Sequence, residues 1–269
     1  MMPKRLPYPF LSLMRMGGAM SQPHVLSIQV GLPRTFGVDG ATDPADCPWT
    51  SGTVKGPVEG PVWVGRMNLD GDGQADLTNH GGPDKAVLLY AAAHYPAWRD
   101  ELTLPALPYG GFGENCTVAG QTEEDVCIGD TYAIGDALLQ ISQPRQPCWK
   151  QARRWGIKDL TARIQRTGRT GWYARVLREG AIAAGQPMLL LDRPHPEWVV
   201  AQATRIMGDR RARRGVALAL SACPLLSAQW RAMLALPPAD GEDTAPAVDQ
   251  VRRPMGRELS GDGADVSPR

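Results

Sequence analysis

The sequence predicts a mostly β, α+β protein: short strands joined by many turns, followed by a small group of three helices. Three observations carry that prediction. The 30 glycines and 24 prolines make up one fifth of the 269 residues, which favours turns over a helical bundle. Short apolar runs of strand length fill the chain up to Pro194, and several of them alternate. After Pro194 the apolar spacing changes to that of helices.

His24–Val30 (HVLSIQV) alternates, with Leu26, Ile28 and Val30 on one face, and reads as the first strand. Residues 34–60 are rich in Gly, Pro and Asp and read as loops, with 53–55 extended. Residues 62–64 form a short buried strand, and 70–82 (DGDGQADLTNHGG) a polar, glycine-rich loop. Residues 86–90 are an apolar strand; 91–101 continue as a helix with Tyr95 and Trp98 at helical spacing. After a loop at 105–113, residues 116–118 and 126–134 are strands. Gly135 and Asp136 make a tight turn into a strand over 137–142. Pro144 and Pro147 break that strand. Residues 159–166 form a short amphipathic helix opened by Asp159, with Leu160 and Ile164 one turn apart. The last strands are 172–177 and 188–191.

Beyond Pro194, the segment 197–207 places Val199, Ala203 and Ile206 on one face. Segment 210–223 does so with Val216, Leu220 and Cys223, and 227–236 with Trp230, Met233 and Leu234. Three such helices bury little alone, so they are expected to lean on the strands. The expected divisions are an extension at 1–23, a main domain at 24–193, a helical domain at 194–236 and a tail at 237–269. The tail lacks periodicity and reads as disordered. Near the start, Lys4 and Arg5 precede an apolar stretch that imitates a signal peptide, but Pro7 and Pro9 interrupt it. The extension is therefore expected to be disordered, with Met20 as an alternative start.

Charge and cysteine content narrow the function. A net charge of +1 excludes a dedicated electrostatic nucleic-acid binder. No apolar run approaches the roughly 18 residues of a membrane-spanning helix. Five cysteines at irregular spacing, with no CxxC pair, indicate a reducing, cytoplasmic setting and argue against a zinc ribbon.

Three loops concentrate residues with chemical potential. His80–Gly81–Gly82–Pro83–Asp84–Lys85 combines paired glycines, whose N–H groups can face an anion, with a lysine; the alternative is a tight turn with a solvated lysine. Gly111–Phe112–Gly113–Glu114–Asn115 brings Glu114 and Asn115 to a strand entrance, to bind a ligand edge or cap a turn. In 142–150 (SQPRQPCWK), two prolines stiffen a loop carrying Arg145, a phosphate grip, and Cys148, a soft metal ligand or a small buried apolar residue. Cys116, Cys127 and Cys223 sit in apolar periodic contexts and read as core.

The motifs HGGPDKAV (80–87), FGEN (112–115), DVCIGD (125–130) and SQPRQPC (142–148), with TGRTGWYARVL (167–177), together resemble the MOSC domain. That fold is shared by the C-terminal domains of molybdenum-cofactor sulfurases and by small molybdenum enzymes. The three helices after Pro194 resemble the three-alpha extension of the bacterial subgroup that contains the 6-hydroxylaminopurine-resistance reductases. The resemblance runs over 24–236 and implies a β-barrel-like fold holding a molybdopterin-type molybdenum cofactor. It implies Cys148 as metal ligand, with Lys55, His80, Gly81, Gly82, Lys85 and Arg145 binding the cofactor and Glu114 and Asn115 binding the pterin edge or relaying a proton. Cys116 departs from the family, which has an aliphatic residue there.

The activity implied is reduction of N-hydroxylated substrates such as N-hydroxylated purines and hydroxylamines. No flavin or iron–sulfur motif is visible, so electrons would come from a separate flavoprotein or iron–sulfur reductase. Neither nucleic acid nor membrane is expected as a partner; a homodimer is open. The competing reading is a sulfur carrier that holds a persulfide on its cysteine for cofactor assembly, and a third is a structural adaptor. The chain has no room for the pyridoxal phosphate domain of the sulfurases.

Overall fold

An eight-stranded sheet organises the residues that the computed structural model describes, 22–43 and 46–237. The disorder expected at 1–21 and 238–269 lies outside the described residues. In chain order the strands are β1 (His24–Val30), β2 (Arg34–Phe36), β3 (Trp49–Ser51), β4 (Gly56–Pro57), β5 (Val62–Val64), β6 (Val87–Ala91), β7 (Cys116–Ala119), β8 (Thr131–Ile134), β9 (Ala137–Pro144), β10 (Trp172–Arg178), β11 (Gly180–Ile182) and β12 (Leu189–Asp192). The helices are α1 (Leu77–His80), α2 (Tyr95–Glu101), α3 (Trp149–Trp155), α4 (Leu160–Thr167), α5 (Val200–Gly208), α6 (Arg214–Ser221) and α7 (Ala228–Ala235). Among the described residues, no helix is long and apolar enough to cross a membrane.

The sheet order is β12-β8-β9-β10-β6-β7-β1-β4, antiparallel throughout except for β6 beside β7. β2–β3 and β5–β11 are separate two-stranded ribbons. The large sheet curls into a half-barrel. Val25 donates its N–H to Gln186, Gly185 to Val25 and Met188 to Pro23, so the segment leading into β12 runs along β1 and brings the ends of the sheet together. This is the barrel-like architecture that the sequence predicts.

Apolar burial explains the arrangement. One cluster joins Ile28, Leu89, Ile128 and Trp172 of the sheet region to Ile206, Leu220 and Trp230 of α5, α6 and α7. The helices expected after Pro194 thus bury apolar residues in the sheet's own core, although Val216, expected on the buried face of the second, is exposed and Ala217 is buried in its place. A second cluster places Tyr90, Tyr95, Trp98, Phe112, Leu160 and Ile164 together under the loop that enters β7. Within it, Tyr90 stacks on Phe112 at a centroid distance of 4.8 Å.

Several local expectations change. A bulge between Val25 and Ser27 breaks the alternation of β1, so Val25 and Ile28 are buried and Leu26 faces out. The strand expected over 126–134 is confined to β8, because the chain turns through Gly129 (φ +88) and the Asp130 carboxylate accepts the Cys127 N–H at 2.9 Å. Residues 53–55 form no strand, whereas β2, β3, β4 and β11 arise outside the predicted strands. The helix α3 arises where the sequence predicts loop as far as 150 and no element over 151–155; it ends at Gly156, whose φ of +66 favours glycine. Asp159 opens α4 without capping it, its carboxylate pairing instead with Arg163 at 2.8 Å.

Candidate functional site

Two prolines and several glycines stop strands at the same end of the half-barrel, where the interrupted segments line an open cleft. Leu88 and Tyr173 line it from the central strands β6 and β10. Ser51, Thr53 and Lys55 line it from the β3–β4 connection, Asp76 and His80 from the α1 region, Lys85 from the turn before β6, and Arg145, Cys148 and Gln151 from the end of β9 and the start of α3.

Six predicted site residues meet here: Lys55, His80, Lys85, Asn115, Arg145 and Cys148. Glu114, Gly81 and Gly82 do not line the cleft. Glu114 is fully buried, and its carboxylate accepts from Gly110 N–H (2.8 Å), Phe112 N–H (3.2 Å), Thr117 Oγ1 (3.0 Å) and the Tyr95 hydroxyl. It therefore folds the FGEN loop onto itself instead of meeting a ligand. Gly81 donates its N–H to Leu77 O, and a Cβ there would meet that oxygen at 2.7 Å. Gly82 takes φ +99 to start the turn that carries Lys85. These glycines shape the turn rather than line an anion site.

Asn115 lines the cleft, yet its amide is engaged by the protein. Its Oδ1 accepts the Leu88 N–H at 3.0 Å and its Nδ2 donates to Asp72 Oδ2 at 2.8 Å. Asp72, absent from the sequence expectations, is the hub: its Oδ1 also accepts the Gly31 N–H at 3.0 Å and pairs with Lys55 Nζ. Burial lowers the Lys55 pKa, and the Asp72 carboxylate opposes that shift.

Other residues of the lining are less completely bonded. Arg145 is 4% exposed, and its Nη1 is buried without a hydrogen-bond partner among the described residues. Gln151 is in the same position: Nε2 donates to Phe112 O at 2.9 Å and to Thr53 Oγ1, while Oε1 is buried and unpartnered. Cys148 sits just before α3. Burial pushes its thiol pKa up; the Lys150 backbone N–H and the charges of Arg145 and Lys150 oppose that. Burial, with Arg145 second, pushes His80 down to about 4, so its ring is neutral at pH 7. Burial raises the Tyr173 pKa, so its phenol stays protonated.

Among the described residues, no three His, Cys, Asp or Glu side chains form a metal cage. A metal here needs a cofactor that brings most of its own ligands, with Cys148 as the protein's soft donor. A pterin phosphate fits this lining. Its phosphate offers acceptors to Arg145 and Lys85, and its ring N–H groups offer donors to Gln151 Oε1.

The residues missed in sequence were Asp72, Asp76, Thr53, Gln151 and Tyr173. Only Gln151 carried a usable signal: three residues after Cys148, it shares a helix face with it once 149–155 is read as helical.

Comparison with known proteins accords with this geometry. The MOSC domain pattern matches residues 76–189. YflK, an uncharacterized protein of Bacillus subtilis, is 46% identical over 209 residues, covering 77% of this chain and 91% of YflK. A Gibberella moniliformis protein named reductase is 40% identical over 164 residues, 60% of this chain but 29% of that protein. The crystal structure of YiiM from Geobacillus stearothermophilus superposes with a TM-score of 0.65 at 35% identity, covering 79% of this chain and 97% of YiiM. The chain belongs to the MOSC-domain family.

Proposed function

We propose that the cleft binds a molybdopterin-type molybdenum cofactor and that the protein reduces N-hydroxylated compounds, such as N-hydroxylated purines and hydroxylamines. The observation that carries this reading is the pairing, in one cleft, of a cysteine with a buried guanidinium whose Nη1 lacks a partner among the described residues. The relative named reductase supports the reaction class.

When bound, the cofactor supplies two-electron reduction of an N–O bond, chemistry that side chains cannot perform. Cys148 would ligate the metal as thiolate. Arg145 and Lys85 would hold the phosphate, and Gln151 Oε1 would accept a ring N–H. Lys55, pinned by Asp72, would add positive charge to the facing wall. Reduction of a hydroxylamine to an amine takes up two electrons and two protons and releases water; Tyr173, which lines the cleft with its phenol kept protonated by burial, would donate a proton. A separate flavoprotein or iron–sulfur reductase would supply the electrons, in the reducing cytoplasm that five free cysteines suit. A persulfide carrier needs an accessible thiol of low pKa. Cys148 is only partly exposed, which weighs against that alternative.

The test is metal and pterin analysis of protein made in a molybdenum-cofactor-competent host, followed by reduction of 6-hydroxylaminopurine with an artificial reductant. Wild-type protein should carry both molybdenum and pterin. Cys148→Ser should fold, keep part of the pterin and lose turnover, because a hydroxyl is a poor substitute for a soft thiolate. Wild-type protein free of pterin, or undiminished turnover by metal-loaded Cys148→Ser, would overturn the reading.

A further inference from the structure

We propose that Gln229, on α7, is a positioning residue for Lys85, which makes the C-terminal helical segment a support of the cofactor cleft from behind its lining. This rests on the reading above. Lys85 is buried at the cleft wall, and its Nζ donates to Gln229 Oε1 and to Asn79 O, each at 2.5 Å. Both acceptors are uncharged, so they fix the ammonium without neutralising it. The carboxylates of Asp76, in the same lining, and Asp84 favour the ammonium through their charge, while Asp84 accepts from Arg175 Nε at 2.7 Å. An ammonium has three N–H donors. With two held by Gln229 and Asn79, the third remains for an anion in the cleft that Lys85 lines.

The backbone holds Gln229 in place. Ser227, two residues earlier, caps α7 by accepting the Trp230 N–H at 3.2 Å. Its own N–H donates to Ser142 O on β9 at 2.9 Å, and Ser142 Oγ donates to Asp84 O at 2.6 Å. The first turn of α7 is thereby tied to the turn that carries Lys85. Trp230, next to Gln229, is 1% exposed in the sheet's core and anchors the same turn from below. An exposed glutamine without such a role would tolerate any good helix former, which makes Gln229→Met an informative variant.

Two readouts test this. The first is amine acetylation of the purified protein, with Lys85 labelling read against exposed Lys158 by mass spectrometry. The second is the pterin-to-protein ratio after purification from a cofactor-competent host. Gln229→Met should label Lys85 faster and retain pterin about tenfold less well, the scale of losing one hydrogen bond to a charged group. Its melting temperature should stay near wild type. Lys85→Met should lower pterin retention at least as much, and adding Gln229→Met to it should change nothing further. Arg205→Ala, on α5 away from the cleft, should leave both readouts unchanged. Wild-type labelling and retention in folded Gln229→Met would overturn the proposal. If wild-type protein carries no pterin, the reductase reading falls, and Lys85 labelling alone decides whether Gln229 positions the ammonium.

Discussion

The two walls of the cleft use their polar atoms differently. On one, Lys55 and Asn115 line the cleft and are held by Asp72 behind them, with Glu114 buried further back and bonded to its own loop. On the other, Arg145 and Gln151 each keep a buried polar atom without a partner, and Cys148 has its thiol pKa raised. A wall with every polar group satisfied sets a shape; one with unsatisfied groups is unfavourable until something binds. The first wall should therefore control stability and the second ligand binding, and substitutions can break that division.

The largest effect on stability is expected at Asp72. Its side chain is fully buried and carries the charge that balances Lys55. Asp72→Asn leaves the ammonium buried without its counter-charge, at a cost of about 3–5 kcal/mol in denaturant unfolding. Adding Lys55→Met should recover much of that loss, as expected for a pair that acts as a unit. Full additivity of the two substitutions would show that the pair does not hold the wall.

Glu114→Gln comes next. The amide would point N–H donors at Gly110 N–H, Phe112 N–H or the Tyr95 hydroxyl, which need acceptors. A loss of about 1–3 kcal/mol is expected. The pterin-to-protein ratio of the folded variant should be unchanged; a selective fall in pterin with normal stability would move Glu114 to the binding wall.

This division also marks what the sequence made legible. HGGPDK and QPRQPC placed Lys85, Arg145 and Cys148 in the cleft, because each lies beside a Gly or Pro break at the end of a strand. FGEN pointed to the right loop but the wrong role for Glu114, since a motif does not reveal which of its own backbone N–H groups it will bind. Asp72 was hidden in a polar DGDG run; its partners Gly31 and Asn115 lie 41 and 43 positions away. The strands and the C-terminal helices were readable from short apolar runs and helical spacing, whereas the half-barrel followed only from the resemblance to the MOSC domain. The bulge in β1 was not, because it breaks the very period being read. Helix α3 was masked by its sequence, WKQARRW, in which buried Gln151 and Ala152 replace the usual apolar stripe.

On the binding wall, Arg145→Met should have the opposite profile to Asp72→Asn. Methionine keeps much of the apolar stem and removes a buried donor without a partner. The ligand-free protein should be as stable as wild type or more so, by up to ~1–2 kcal/mol in denaturant unfolding. Pterin retention should collapse. Strong destabilisation of the ligand-free variant would mean that Arg145 has a structural partner after all, and the contrast between the walls would weaken.

The smallest effect is a pH dependence at His80. Its folded-state pKa of about 4 lies below the ordinary 6.5, chiefly through burial, with Arg145, Lys150 and Lys85 also disfavouring the proton and Asp76 favouring it. A depressed pKa means that the unfolded chain binds the proton more tightly. The stabilisation is therefore complete above pH 6.5 and is lost as pH falls from there to about 4. The loss has an upper bound of ~3 kcal/mol, reduced by the partial exposure of the ring. Urea unfolding at pH 7 and pH 4.5 should show wild type losing more stability than His80→Gln. An anion held by Arg145 and Lys85 would offset two of the charges that repel the imidazolium, so saturating inorganic phosphate should shrink the difference between the two proteins. Equal acid sensitivity with and without phosphate would place His80 outside the field of any ligand on that wall.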